Sequence, residues 1–147
     1  MEIETIKEKI RVAIRSFNNE KEHLYRVDIF EPTLSHRIAL HLESQFLNND
    51  YVVDCEYNRN INDPKRDDLN QKIRPDIIVH RRNSNENNLV IFEVKKAGKD
   101  SKKGQEDIRK LQRISNLNYT LKVFIGVLKN KTQVVYVKND SIEVEEI

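Results

Sequence analysis

Arg74-Pro75-Asp76-Ile77-Ile78-Val79-His80 and Leu89-Val90-Ile91-Phe92-Glu93-Val94-Lys95 are two short apolar runs that each carry charge. Both read as β-strands. An ionised carboxylate or ammonium inside such a run is costly to bury alone, so Glu93 and Lys95 need each other, a metal, or solvent at the strand's end. Side chains alternate with period two along a strand. Glu93 and Lys95 therefore point one way, while Val90, Phe92 and Val94 point the other way into packing. The polar stretch from Asn83 to Asn88 reads as a hairpin connection that folds the strand of Asp76 back alongside that of Glu93. Two carboxylates and a lysine then converge on one edge of a sheet, an arrangement suited to a divalent cation and an activated water.

Working outward, Ile3, Ile6, Ile10, Ala13, Ile14 and Phe17 recur at helical spacing, with Asn18-Asn19 expected to end that helix. Leu24 to Phe30 is ambiguous, and its alternation of Tyr25, Val27 and Ile29 suits an extended arm. Pro32 fits the first turn of a second helix with the stripe Leu34, Ile38, Leu42 and Phe46, closed by Asn48-Asn49-Asp50. Strands are expected at Tyr51 to Tyr57, Ile73 to His80 and Leu89 to Lys95. The polar segment from Asn58 to Gln71 is expected to be a mobile, substrate-contacting flap. Beyond a flexible connection from Gly98 to Gly104, the residues Ile108, Leu111, Ile114 and Leu117 mark a third helix. Leu121 to Leu128 reads as a buried strand, Thr132 to Val137 as the next, and Ile142 to Val144 as an edge piece. The order predicts an α/β domain over residues 1–147: an N-terminal helix and arm through residue 30, then a core over 31–137 with a mixed sheet flanked by helices.

A chain of 147 residues supports one core but not a core plus a separate effector module. No apolar run reaches membrane-spanning length, and Met1-Glu2-Ile3-Glu4-Thr5 lacks the features of a secretion signal, so no membrane role is expected and the cytoplasm is the expected location. The single cysteine, Cys55, excludes an internal disulfide and a multi-cysteine zinc site, and is expected to be a small buried residue on a strand. A net charge of +2 is too small to announce nucleic-acid binding, but its distribution is uneven. Lys95, Lys96, Lys99, Lys102, Lys103, Arg109, Lys110 and Arg113 fall close together against Glu93, Asp100, Glu106 and Asp107. Such a cluster either holds phosphates or forms a solvated mixed-charge helix face.

Pro75-Asp76 and Glu93-Val94-Lys95 resemble the two halves of the signature of the PD-(D/E)xK nuclease superfamily, which has the restriction-endonuclease-like fold. His36-Arg37, Asp54-Cys55-Glu56-Tyr57-Asn58-Arg59, the run Arg74 to Arg82, and Phe92 to Lys96 are similar to small bacterial proteins of that fold. The resemblance spans residues 31 to 128. It implies an αβββαβ core preceded by an extra N-terminal helix, and metal-dependent hydrolysis of phosphodiester bonds in nucleic acid, with DNA the expected polymer. Asp76 and Glu93 would bind Mg²⁺ or Mn²⁺, joined by the backbone carbonyl of Val94, and Lys95 would orient or help deprotonate the attacking water. Glu31 matches a helix-borne glutamate that helps bind metal or water, although an acid ahead of Pro32 also favours a helix N-terminus. His36-Arg37 would support the site or touch phosphate, or simply lie on a helix surface.

Lys99, Lys102, Lys103, Arg109 and Lys110 are the candidate phosphate ligands, with Lys110 the one placed nearest the apolar stripe of its helix. Lys96 points away from Lys95, His80 is expected to be structural, and His36 and His41 stand five apart and share no helix face, so they make no zinc pair. Cutting both strands of a duplex takes two sites, which makes a homodimer one reading of the partner question and a regulatory protein another. The alternative function is a non-cutting or partner-activated nucleic-acid-binding or assembly domain of the same fold.

Overall fold

The first apolar stripe continues past Asn18-Asn19: helix α1 runs over Ile3–Arg26, 24 residues, in the computed structural model, which describes residues 1–84, 86 and 88–147. Long-range contacts override the local stop signal. The Asn18 side chain donates to the Ile147 carbonyl at 3.0 Å and accepts from the Thr132 hydroxyl at 2.6 Å. Lys21 donates to the same hydroxyl at 3.1 Å. One turn later Leu24 and Tyr25 pack against the core, so the segment expected to be an extended arm begins as the last residues of α1, through Arg26, and continues as a turn. A tight turn with Asp28 at φ 48° leads into α2, Glu31–Phe46, with Pro32 in its first turn. A single 3₁₀ turn, Leu47–Asn49, and Asp50 in the left-handed region at φ 58° close that helix.

The strands are β1 Val52–Cys55, β2 Arg59–Asn60, β3 Asp63–Pro64, β4 Ile77–His80, β5 Val90–Lys95, β6 Leu121–Val127, β7 Thr132–Val137 and β8 Ile142–Glu146, with helix α3, Lys102–Gln112, between β5 and β6. Six of them form one mixed sheet in the order β1-β4-β5-β6-β7-β8. The β5–β6 pair is parallel, which requires the crossover that α3 supplies, and the other neighbours are antiparallel. The β4–β5 pairing sets Ile77 opposite Phe92, as a hairpin requires, while Asn85 and Asn87 of its connection lie outside the described residues. The protein is thus of the α/β class.

Helices cover both faces. Ile77, Val79, Val90, Phe92, Val94, Val123 and Ile125 face the α1–α2 layer, against Ile10, Phe17, Ile38 and Phe46 among others. Ile78, Ile91, Phe124 and Val135 face α3, against Ile108 and Leu111. Burial on both faces is why the central strands read as near-continuous apolar runs. The Ser101 hydroxyl caps α3 by accepting from the Gly104 amide at 3.0 Å. Gly104 is needed there, because a Cβ would fall 2.2 Å from the Gly98 carbonyl oxygen on the loop leaving β5. Ile114 and Leu117 are buried as expected, yet they lie beyond the end of α3 in the turn that follows it.

The expected flap is tied down rather than loose. Strands β2 and β3 form a small ribbon, the Lys65 amide donates to Asn58 at 2.7 Å, and Ile73 donates to Lys65 at 3.0 Å. The Asp68 carboxylate accepts from the Ser115 amide at 3.0 Å and hydroxyl at 2.8 Å, which docks the flap on the turn after α3. Cys55 ends β1 and is exposed, a correction to its expected burial, because the sheet's edge is open at that point. Its thiol is pushed up by the surrounding protein and by acids including Asp54, Glu56 and Asp76, the reverse of an activated nucleophile. His80 is buried, and its Nε2 lies 2.8 Å from a carboxylate oxygen of Asp54 that Arg82 also grips, a structural role as expected. Among the described residues no helix is long and apolar enough to cross a membrane.

The two asparagines of the failed stop signal separate cleanly by experiment. Asn18→Ala removes the acceptor of the fully buried Thr132 hydroxyl's proton, leaving that hydroxyl only the Lys21 donor, and is expected to cost about 1–3 kcal/mol in urea unfolding. Asn19→Ala, at an exposed helical position, is expected to be neutral or to stabilise by a few tenths of a kcal/mol through helix propensity. Equal effects would contradict the tertiary explanation for the helix's length.

Candidate functional site

One residue beyond the paired part of β4, the same register carries Asp76 opposite Glu93, with both on the face that meets α3. The Val94 amide, turned toward this edge, donates to the Asp76 carboxylate at 2.7 Å. A strand residue's N–H and C=O project to the same side, so the Val94 carbonyl also faces this edge, where β4 has not yet begun. The Asp76 and Glu93 carboxyls lie close enough to share a proton. Burial pushes the pKa of both groups up, and for Glu93 the charges of Asp76 and Asp107 push further, well above the usual carboxylate range.

Lys95, two residues past Glu93 on the same face, reaches the Glu31 carboxylate at 3.1 Å and that of Asp107 at 3.5 Å. Glu31 opens α2, and its second oxygen accepts from the Lys96 amide at 3.1 Å, so it clamps the end of β5. Burial opposes the lysine's charge. The Glu31 and Asp107 carboxylates outweigh it, and the Lys95 pKa ends above its ordinary value. Asp107 escaped the sequence reading. It lies on the buried stripe of α3 with Gly104, Ile108 and Leu111, and an acid on an apolar stripe was the signal available. It is 1% exposed; one oxygen accepts from Lys110 at 2.9 Å, and the other has no hydrogen-bond partner and faces the Lys95 ammonium.

These groups open on a cleft of about 290 Å³. Asp76, Glu93 and Lys95 line it from the sheet, Asp67, Gln71, Lys72, Ile73 and Arg74 from the flap and the segment entering β4, and Lys110, Arg113 and Ile114 from α3 and its following turn. A smaller cavity of about 140 Å³ lies on the other side of Asp76, bordered by Glu31, His36, Cys55 and Glu56.

The structure thus brings together Asp76, Glu93, Val94, Lys95, Glu31 and Lys110, and sets exposed His36 beside them. Arg37 is elsewhere, because its Nε and Nη2 both donate to Glu20 of α1 at 2.8 Å and lock the two helices together. Lys102, Lys103 and Arg109 are exposed on the outer side of α3 and Lys99 pairs with Asp100, so none of the four lines the cleft. The reason is helical phase: with positions 104, 107, 108 and 111 turned inward, positions 102, 103 and 109 face solvent. Lys96 pairs with Asp28 and lies 5.0 Å over the Tyr25 ring, away from Lys95 as expected. Arg113, the last member of the basic cluster read from the sequence, does line the cleft, and Lys72 and Arg74 are cationic lining residues that the sequence reading did not assign to it.

The donor set fits a hard divalent cation. Among the described residues no group of three or more histidine, cysteine or acidic side chains is placed to hold a metal. Two carboxylates and a carbonyl would leave several positions to water and phosphate oxygen, the usual habit of Mg²⁺. A cation would also supply the positive charge that the Asp76–Glu93 pair lacks.

The raised carboxyls fix the sign of a pH effect. In the absence of divalent metal the folded protein holds protons on this pair that the unfolded chain releases at about 4.5 for Glu93, so their contribution to stability is lost as pH rises from there through the folded value. Glu93→Gln is therefore expected to raise the melting temperature relative to the wild type on the alkaline side and to flatten its fall with pH, with each kcal/mol relieved worth roughly 2–4 °C. A variant that melts in parallel with the wild type at all pH values would contradict the buried acidic pair. Comparisons with protein-family models, with curated proteins and with solved structures found no match to this chain.

Proposed function

We propose that this chain is a Mg²⁺- or Mn²⁺-dependent nuclease of the PD-(D/E)xK type that hydrolyses phosphodiester bonds, with DNA as its substrate. The observation that carries the reading is Asp76 facing Glu93 across the β4–β5 pair, with Lys95 on the same face and all three lining one cleft. Setting aside the small β2–β3 ribbon, the order α2-β1-β4-β5-α3-β6, with α1 ahead of it, is the αβββαβ order that the resemblance implies, and it supports the reading.

Asp76, Glu93 and the Val94 carbonyl would hold the cation, which when bound acidifies a water and draws charge from the phosphate. Lys95 keeps its proton at neutral pH, held by Glu31 and Asp107, so it serves as a hydrogen-bond donor and positive charge rather than as a base. Of the two roles expected of Lys95, orienting the water and helping to deprotonate it, this reading takes the first. A water oxygen attacks phosphorus in line and gives up its proton to solvent, the bond to the leaving oxygen breaks as that oxygen takes a proton from solvent, and Lys95 offsets the charge gathering on the non-bridging oxygens. Asp107 positions Lys95 and Lys110 from beneath.

Purified protein incubated with single-stranded, duplex and branched DNA and with RNA, in Mg²⁺, Mn²⁺ or EDTA, tests the reading. Asp76→Ala, Glu93→Gln and Lys95→Ala are expected to abolish metal-dependent cutting while the protein stays folded, and Lys96→Ala to be mild. Asp107→Asn keeps the shape but frees Lys95, and a roughly 10- to 100-fold loss of kcat is expected, the usual scale for an outer-shell partner. Unchanged cutting by Asp76→Ala, or no cutting of any polymer in either metal, would overturn the proposal. Binding without cutting would favour an assembly role.

A further inference from the structure

The wall of the cleft nearest the flap carries positive charge that the protein leaves unanswered. Among the described residues Lys72 and Arg113 form no ion pair, and Arg74 has only Glu56, at 3.8 Å between two exposed side chains. Arg113 is the unusual member. Its Nε is buried and has no hydrogen-bond acceptor in the protein, although a buried donor left unmatched is costly. The base of the residue is fixed on both sides: its amide donates to the Arg109 and Lys110 carbonyls at 3.3 and 3.1 Å, and its carbonyl accepts from the Asp68 amide of the flap at 2.8 Å. A guanidinium anchored at its root, short of one acceptor and open to a cleft is complementary to an oxyanion. A planar fork of donors suits two phosphate oxygens at once.

We propose that Arg113, assisted by Lys72 and Arg74, forms a phosphate subsite on this wall that grips a backbone phosphate of a nucleic-acid strand next to the phosphate held at Asp76 and Glu93. The nucleic-acid identity of the ligand rests on the nuclease reading. The subsite moves the main phosphate contact away from Lys99, Lys102, Lys103 and Arg109, which the helical phase of α3 turns outward. It also gives the docked flap a purpose, because Asp68 holds the turn that carries Arg113 while the same segment delivers Lys72 and Arg74 to the lining of the same cleft.

The experiment measures binding of fluorescent single-stranded oligothymidylate in Ca²⁺ across a salt series. The proteins compared are the wild type, Arg113→Gln, Arg113→Lys and the double variant Lys102→Gln/Lys103→Gln, each with its melting temperature confirmed near wild type. Arg113→Gln is expected to weaken binding about tenfold and to reduce the salt slope by roughly 0.7, one single-strand phosphate contact. Arg113→Lys should recover only part of the loss, since it keeps the charge but not the fork. The double variant should bind within twofold of wild type. Equal affinity for wild type and Arg113→Gln, a larger loss in the double variant, or no binding by the wild type would each overturn the subsite. Cleavage assays on the same proteins keep the two readings apart. A wild type that binds through Arg113 but never cuts defeats the catalytic reading alone, and cutting that Arg113→Gln leaves untouched defeats the subsite alone.

Discussion

Everything at the cleft depends on the register between β4 and β5. Ile77 lies opposite Phe92, and that pairing alone sets Asp76 across from Glu93. A slip by one residue would turn Glu93 and Lys95 into the α1–α2 layer and push Phe92 and Val94 toward the cleft, exchanging a polar face for an apolar one along the whole strand. Phe92 and Val94 are fully buried, so the cost of that exchange pins the register. The apolar core therefore does more than stabilise the fold. It holds two like charges in opposition at a place where they would not otherwise stay.

Holding them there creates a charge problem that neighbouring elements share. Glu31 at the start of α2 and Asp107 in the middle of α3 approach Lys95 from opposite layers, and Lys110 answers the other oxygen of Asp107. The ammonium is fixed by acids from two helices that do not otherwise meet at this point. Glu31 and Asp107 each form an ion pair, whereas for the Asp76–Glu93 pair burial outweighs the charges of Lys95 and Lys110 and raises both groups. The region is polarised, with negative charge concentrated at the sheet's edge and positive charge around it, which is the pattern that draws in a cation and then an anion.

How much of this was legible depends on whether the cause was local. Strands β4, β5 and β7 and helix α2 follow from alternation, stripe and cap signals within a few residues, and so does the face shared by Glu93 and Lys95. The length of α1 was hidden, because the partners that carry it past Asn18 lie at Thr132 and Ile147. The anchoring of the flap was hidden in the same way, resting on bonds from Asp68 and Arg66 across to Arg113, Ser115 and Asn116. Arg37 looked like a site residue because of its neighbours in sequence, whereas its geometry is decided by Glu20. The basic cluster after β5 was visible as composition, but only helical phase could say which of its members face inward. Arg113, Lys72 and Arg74 come together from segments about forty residues apart, and no periodicity links them.

The stitching of α1 to the far end of the chain has a consequence for how the molecule assembles. Lys7 pairs with Glu143, Arg11 with Glu145, and Asn18 with Thr132 and Ile147, so α1, which meets α2 through Glu20 and Arg37, completes its polar contacts only when β7 and β8 are in place. Until then its apolar face can meet only part of the layer it finally covers. Contacts of such long sequence separation bear the loop-closure entropy before they return any stabilisation, which slows folding and keeps α1 waiting while the central sheet forms. Completion of the fold, and with it the packing that backs β5, is tied to the docking of β7 and β8.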